Sequence, residues 1–104
     1  MKIPKTVIIV GKTWRVKIDK KSRGGWFDTD KSVIELGTKD MGKEEIMQMY
    51  FHECWEAILA NRNMRYKLPY LGADNGNYMF VFDHSKMEHA VVDFYLAIRE
   101  SLKE

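Results

Sequence analysis

From Lys43 to Asn61 the chain runs without a proline or glycine, and this stretch constrains the fold more than any other. Its apolar residues, Ile46, Met47, Met49, Tyr50, Phe51, Cys54, Trp55, Ala57, Ile58 and Leu59, crowd more than one face of a helix. A helix that is apolar nearly all round is a central, buried one. Asp40 is its expected N-cap. The same stretch carries His52-Glu53-Cys54-Trp55-Glu56, and carboxylates on a buried helix are costly unless something compensates them. A divalent cation is the compensation adopted here; pairing with Arg or Lys, or a solvent-filled cleft, are the other two.

At about 100° per residue, positions i and i+4 project from nearly the same face, so His52 and Glu56 can reach one ion. Glu53 lies on the neighbouring stripe, placed to touch a metal-bound water. This is the logic of the His-Glu-x-x-His helix, in which two ligands hold zinc and the glutamate beside the first is the general base. Here glutamate stands in the second ligand position, and zinc accepts carboxylate oxygen as well as imidazole nitrogen. With 3 His and 8 Glu in 104 residues, random placement gives the pattern roughly two times in a hundred, so it needs support elsewhere. Cys54, two residues from His52, points about 200° round the helix and reads as a small buried apolar residue.

A catalytic zinc site takes three protein ligands and leaves the fourth place to water. The last helix, from about Ser85 to Leu102, places Met87, Val91, Phe94, Tyr95, Ile98 and Leu102 on one expected core stripe. Three residues back along that stripe from Met87 stands His84, just before an expected capping box, Ser85-Lys86-Met87-Glu88. His84 is therefore the expected third ligand, with His89 and Glu88 as the alternatives.

The first third of the chain reads as β-structure. Thr6 to Val10 is a short apolar run, and Thr13 to Asp19 alternates apolar Trp14, Val16 and Ile18 with Arg15, Lys17 and Asp19. Gly11-Lys12 between them suits a two-residue type II′ turn. Lys20 to Gly25 reads as loop, and Ser32 to Leu36 as a third strand, preceded by extended Trp26-Phe27. The expected fold is α+β: a three-stranded, mainly antiparallel sheet with no second sheet, covered by the central helix and a C-terminal helix. One domain spans 1–104, divided into a sheet part (1–37), the motif helix (40–61), a connection (62–83) and the last helix (84–104). Within the connection, Gly72 to Asn77 marks a tight turn and Tyr78 to Phe82 a short strand or flap.

Residues 1 to 25 carry eight Lys or Arg against Asp19 alone, while the rest is net acidic. Such a basic hairpin attracts nucleic acid or acidic partners, but Lys on an edge strand also blocks aggregation, and nucleic acid is not the expected partner. No run approaches the roughly 20 apolar residues of a membrane span, the N-terminal stretch lacks a signal-peptide apolar region, and one cysteine excludes an internal disulfide. A reducing, cytoplasmic setting is expected.

A hairpin and third strand, a helix bearing His52-Glu53-x-x-Glu56, and a last helix introduced by His84 together resemble a minimal zincin metallopeptidase domain. The chain is similar to small phage and bacterial proteins of that group that use HExxE in place of HExxH. The resemblance implies zinc held by His52, Glu56 and His84, with Glu53 as general base in peptide-bond hydrolysis by a metal-activated water. It further implies a peptide or protein substrate laid along the sheet edge nearest the helix, with Ser32 to Leu36 as the candidate strand. Two histidines and a carboxylate also suit iron(II). Two other functions compete: a non-catalytic, metal-stabilised protein-binding module, and a nucleic-acid or acidic-partner binder using the basic hairpin.

Overall fold

The computed structural model describes residues 2–67, 78–80 and 83–102. In chain order these form β1 (Thr6–Ile9), β2 (Lys12–Asp19), β3 (Arg23–Asp28), β4 (Val33–Thr38), α1 (Lys43–Asn61), β5 (Arg65–Lys67), β6 (Tyr78–Phe80) and α2 (His84–Ile98), followed by a 3-10 turn, Arg99–Leu102. The class is α+β.

The sheet has four strands rather than the three expected, in the order β1-β2-β4-β3, and β5 pairs with β6 in a second, two-stranded sheet. It is mixed: β1 with β2 and β3 with β4 are antiparallel, but β2 with β4 is parallel, Arg15 opposite Val33 and Asp19 opposite Gly37. The missed strand is β3. Its Gly24-Gly25 reads as loop because glycine brings no side chain to pack on a pleated surface. The true loop is only residues 20–22, which cross the end of β4 so that β4 can fill the gap between β2 and β3.

That crossing explains Gly37. A Cβ there would stand 2.8 Å from the Ser22 carbonyl carbon and oxygen and 2.9 Å from the Arg23 nitrogen, all backbone atoms. The crossing chain is tied down at both ends: the Lys39 N–H donates to the Ser22 carbonyl at 3.0 Å, and the Asp19 carboxylate accepts from the Lys21 N–H and the Ser22 hydroxyl, each at 2.9 Å. Those two hydrogen bonds, the backbone one foremost, hold Asp19 below the usual carboxylate range.

The β1–β2 turn also differs from expectation. Its two loop residues are Val10 and Gly11, with Ile9 opposite Lys12. Both have positive φ, 48° and 78°, as a type I′ turn requires.

The N-cap of the motif helix α1 lies two residues beyond Asp40. Gly42 is the N-cap, its N–H donating to Glu45 Oε1 at 3.3 Å, while Asp40 adopts a left-handed φ of 57°. At the other end Asn63, with φ 58°, closes the helix, and the Met64 N–H donates back to the Leu59 carbonyl at 2.9 Å, the 6→1 bond of a Schellman motif. The stripe Tyr50, Cys54, Ala57 and Ile58 is fully buried against Trp14, Ile34 and Leu36 of the sheet.

α2 overturns its expected orientation. Its buried residues are Ala90 and Ala97, and the small side chains let it approach closely enough for the Tyr50 hydroxyl to donate to the Ala97 carbonyl at 3.5 Å. Asp93 clamps the end of α1 through a forked pair, Arg62 Nε to Oδ2 at 2.8 Å and Nη2 to Oδ1 at 3.2 Å. The expected core stripe faces outward instead: Val91 is 53% exposed and Tyr95 57%, with Met87 and Leu102 also exposed. Only Phe94 of that stripe packs edge-on against aromatic residues of α1, Phe51 and Trp55. The cap differs too. Asp83 is the N-cap, its Oδ1 accepting from the Lys86 N–H at 2.8 Å, so Ser85 lies inside the helix. The turn expected over Gly72 to Asn77 lies outside the described residues; Tyr78 to Phe80 is a strand, as one of the two expectations had it.

Two outcomes follow. Gly37→Ala should lower stability by about 2 kcal/mol, the scale of overpacking against atoms that cannot give, whereas Gly42→Ala, whose Cβ would meet only Glu45 Oε1 at 3.8 Å, should change little; urea titrations of both variants check this. Because Asp19 titrates lower in the folded chain, its contribution is present above the unfolded carboxylate pKa and lost as pH falls through the folded value. The stability gap between wild type and Asp19→Ala should therefore be full at pH 6 and close toward pH 2.

Candidate metal centre

The rotation of α1 fixes its site. With 50, 54, 57 and 58 turned to the core, position 53 falls about 85° from the centre of that stripe, position 56 about 145° and position 52 about 175°. Glu53 is accordingly buried, 7% exposed, while the His52 side chain is 64% exposed. The three residues flank a cleft of about 410 Å³ whose remaining walls are Gly25, Trp26 and Phe27 of β3 and Arg65 of β5.

His52 Nε2 lies 2.6 Å from Glu56 Oε2 and 3.8 Å from Glu53 Oε2. Among the described residues, these three offer donor atoms within 4.8 Å of one another. The expected pairing of an imidazole and a carboxylate one helical turn apart is therefore present, with the second carboxylate beside it. Arg65 reaches the same group: its Nε stands 4.0 Å from Glu56 Oε1, and its guanidinium sits 5.0 Å over the Phe27 ring. Burial raises the Glu53 pKa; the charges of His52 and Arg65 oppose the shift and that of Glu56 adds to it. A carboxyl raised in this way is a stronger base once ionised, as proton abstraction near neutrality requires.

His84 is not in this group. It is the first residue of α2, its side chain is 81% exposed, and its Nε2 lies 3.5 Å from Glu88 Oε1 one turn on. The reason is the orientation of α2: the stripe that leads back from Met87 to His84 faces outward, and His84 goes with it. His89 is exposed as well. The strand expected to receive a peptide is also displaced. Ser32 to Leu36 falls largely in β4, which is paired on both sides, so the sheet edge beside the cleft is β3.

Sequence reasoning missed Arg65 and the β3 wall. A cation within reach of buried Glu53 and part-buried Glu56 was foreseeable as a type of compensation, but nothing in the spacing singles out Arg65, which follows α1 by four residues. Comparison with protein families, curated proteins and solved structures finds no match to this chain. No helix among the described residues is long and apolar enough to cross a membrane.

Cys54 shares the helix but not the chemistry. It is fully buried, and burial pushes its thiol up to about 12, so it stays protonated and unreactive. Iodoacetamide at pH 8 should leave Cys54 of the native protein unmodified while alkylating it in urea; rapid modification of the native protein would contradict the burial.

Proposed function

We propose that the cleft between α1 and β3 is the metal centre of a small metal-dependent hydrolase acting on peptide bonds, with zinc as its ion and iron(II) as the alternative. The observation that carries it is the approach of His52 Nε2 and Glu56 Oε2 to 2.6 Å at the mouth of a cleft beside buried Glu53. The donor set fits a cation. Two donors on one tetrahedral zinc stand roughly 3.4 Å apart, so the pair needs to open by less than about 1 Å, which the exposed His52 side chain can supply by a small rotation. A divalent ion bound there supplies a Lewis acid and lowers the pKa of water toward neutrality.

The chain's own residues do the rest. His52 and Glu56 hold the ion, and the outward-facing His84 takes no part. Glu53 takes the proton from the attacking water and returns it to the leaving amine. A peptide added as a strand along β3 passes the cleft, in place of the β4 position first expected.

A second reading rests on Arg65. Two carboxylates, one imidazole and one guanidinium can satisfy one another without an ion, and the protein is then a binding module with no catalysis.

Metal analysis of the purified protein and thermal melts with and without a chelator separate the two. One ion per chain, and a melting temperature that falls on chelation by the equivalent of about 3 kcal/mol at saturating metal, are expected from the first. Glu53→Gln should keep the ion and lose peptide cleavage by 10² or more. His52→Ala and Glu56→Ala should lose the ion. His84→Ala should keep full affinity, because that side chain faces solvent beside Glu88; a loss of tenfold or more would bring His84 into the ligand set. A protein that binds no ion and melts identically with and without chelator leaves only the ion-paired module.

A further inference from the structure

We infer that Gly25 is a positioning residue for Glu53: the absence of a side chain there lets edge strand β3 lie directly on the Glu53 carboxylate and clamp it against α1. An ideal Cβ on Gly25 would stand 2.8 Å from Glu53 Cγ, 3.1 Å from Glu53 Cδ and 3.0 Å from Met49 Cγ. Distances below about 3.0 Å are not borne by real side chains, so something must move. The atom nearest the added methyl is not the free end of a flexible chain. It is the middle carbon of Glu53, whose root is fixed by the packed helix, and the carboxyl carbon lies just beyond it.

Backbone geometry does not explain this glycine. Gly11 and Gly24 have φ of 78° and 112°, where side chains are strained. Gly24 has nothing within 4 Å of its would-be Cβ, while Gly25 is absent from the positive-φ residues. The two neighbours therefore differ in cause: Gly24 serves the backbone of the strand, and Gly25 serves the space between strand and helix. Gly25 pairs with Leu36 of β4, so its α-carbon faces the core side of the sheet, the side on which α1 lies.

The consequence is chemical as well as steric. Glu53 is held where its Oε2 stands 3.8 Å from His52 Nε2, near the proposed ion but not in the tighter contact that Glu56 makes. A carboxylate pushed off β3 has only two ways to go: toward His52, where it becomes a third oxygen ligand, or toward solvent, where it leaves the attacking water. Either move removes a base while the helix ligands stay in place. This inference rests on the proposed hydrolase for its functional half; the clamp itself does not.

The test has two arms, read on the full chain. In a double-mutant cycle by urea denaturation, Gly25→Ala should destabilise the wild type and cost much less in a Glu53→Ala background, where the colliding atoms are gone. Should Gly25→Ala alone fail to fold, recovery of folding on adding Glu53→Ala gives the same answer. Met49→Ala, which clears only the other contact, should restore less. An equal penalty in both backgrounds overturns the clamp. In the second arm, the metal-loaded protein is given a tryptic digest of denatured proteins, and the rate is followed by mass spectrometry on a peptide the wild type cuts. Gly25→Ala should keep one ion per chain and lower kcat at least tenfold with KM within about twofold. Coupling in the first arm with unchanged kcat overturns the positioning role. A wild type that cuts no peptide overturns the hydrolase, and the positioning role falls with it, while the clamp stands or falls on the first arm.

Discussion

The seating of α1 on the sheet through Tyr50, Cys54, Ala57 and Ile58 decides where everything else in the molecule points. Turn that helix by one residue and about 100° of its surface changes environment. Its seating buries Glu53, leaves His52 in water and turns Glu56 toward Arg65. The four residues that make the seat carry no chemistry of their own, and the three beside them are the ones proposed to hold an ion and its base. Burial of this stripe, at about 1.5–3 kcal/mol for each large apolar side chain, offsets the desolvation of a carboxylate that no isolated helix would carry into a core.

That carboxylate also sets the electrostatic character of the cleft. Apart from His52, two ionised carboxylates against one guanidinium leave a single negative charge. A divalent ion reverses the sign. On the proposed metal reading, the same walls would repel an approaching carbonyl oxygen's developing charge with no ion bound and attract it with one. Arg65, held over Phe27 and 4.0 Å from Glu56 Oε1, would remain as a neighbouring positive charge beside such an ion.

Much of this was legible in the sequence, and what was not has identifiable causes. The motif helix was readable because its apolar residues and its lack of Gly and Pro agree, and its end at Asn61 matches, while its cap lies at Gly42 rather than Asp40. The closeness of His52 and Glu56 followed from helical spacing alone. β3 was hidden because its two glycines lower strand preference, although one of them is there to make room. The orientation of α2 is hidden because its larger apolar residues, Met87, Val91, Tyr95 and Leu102, face outward. The signal that decides it is the run of small residues, Ala90, Ala97 and Ser101, all fully buried, together with Asp93 opposite Arg62. Hydrophobicity ranks those positions low; close helix approach ranks them high. His84, on the same stripe as Met87, faces outward with it.

The insertion of β4 between β2 and β3 has a consequence for the order in which the sheet is assembled. The β3–β4 ladder is closed by a short local turn and can zip on its own. The β2–β4 ladder is parallel and forms only after the chain has gone out to β3 and returned. From the time β1 and β2 pair until β4 arrives, the inner edge of β2 is therefore an unpaired strand edge on a chain still being made. Lys17 and Arg15, exposed on β2, put charge along that temporary edge, where another growing chain would otherwise add.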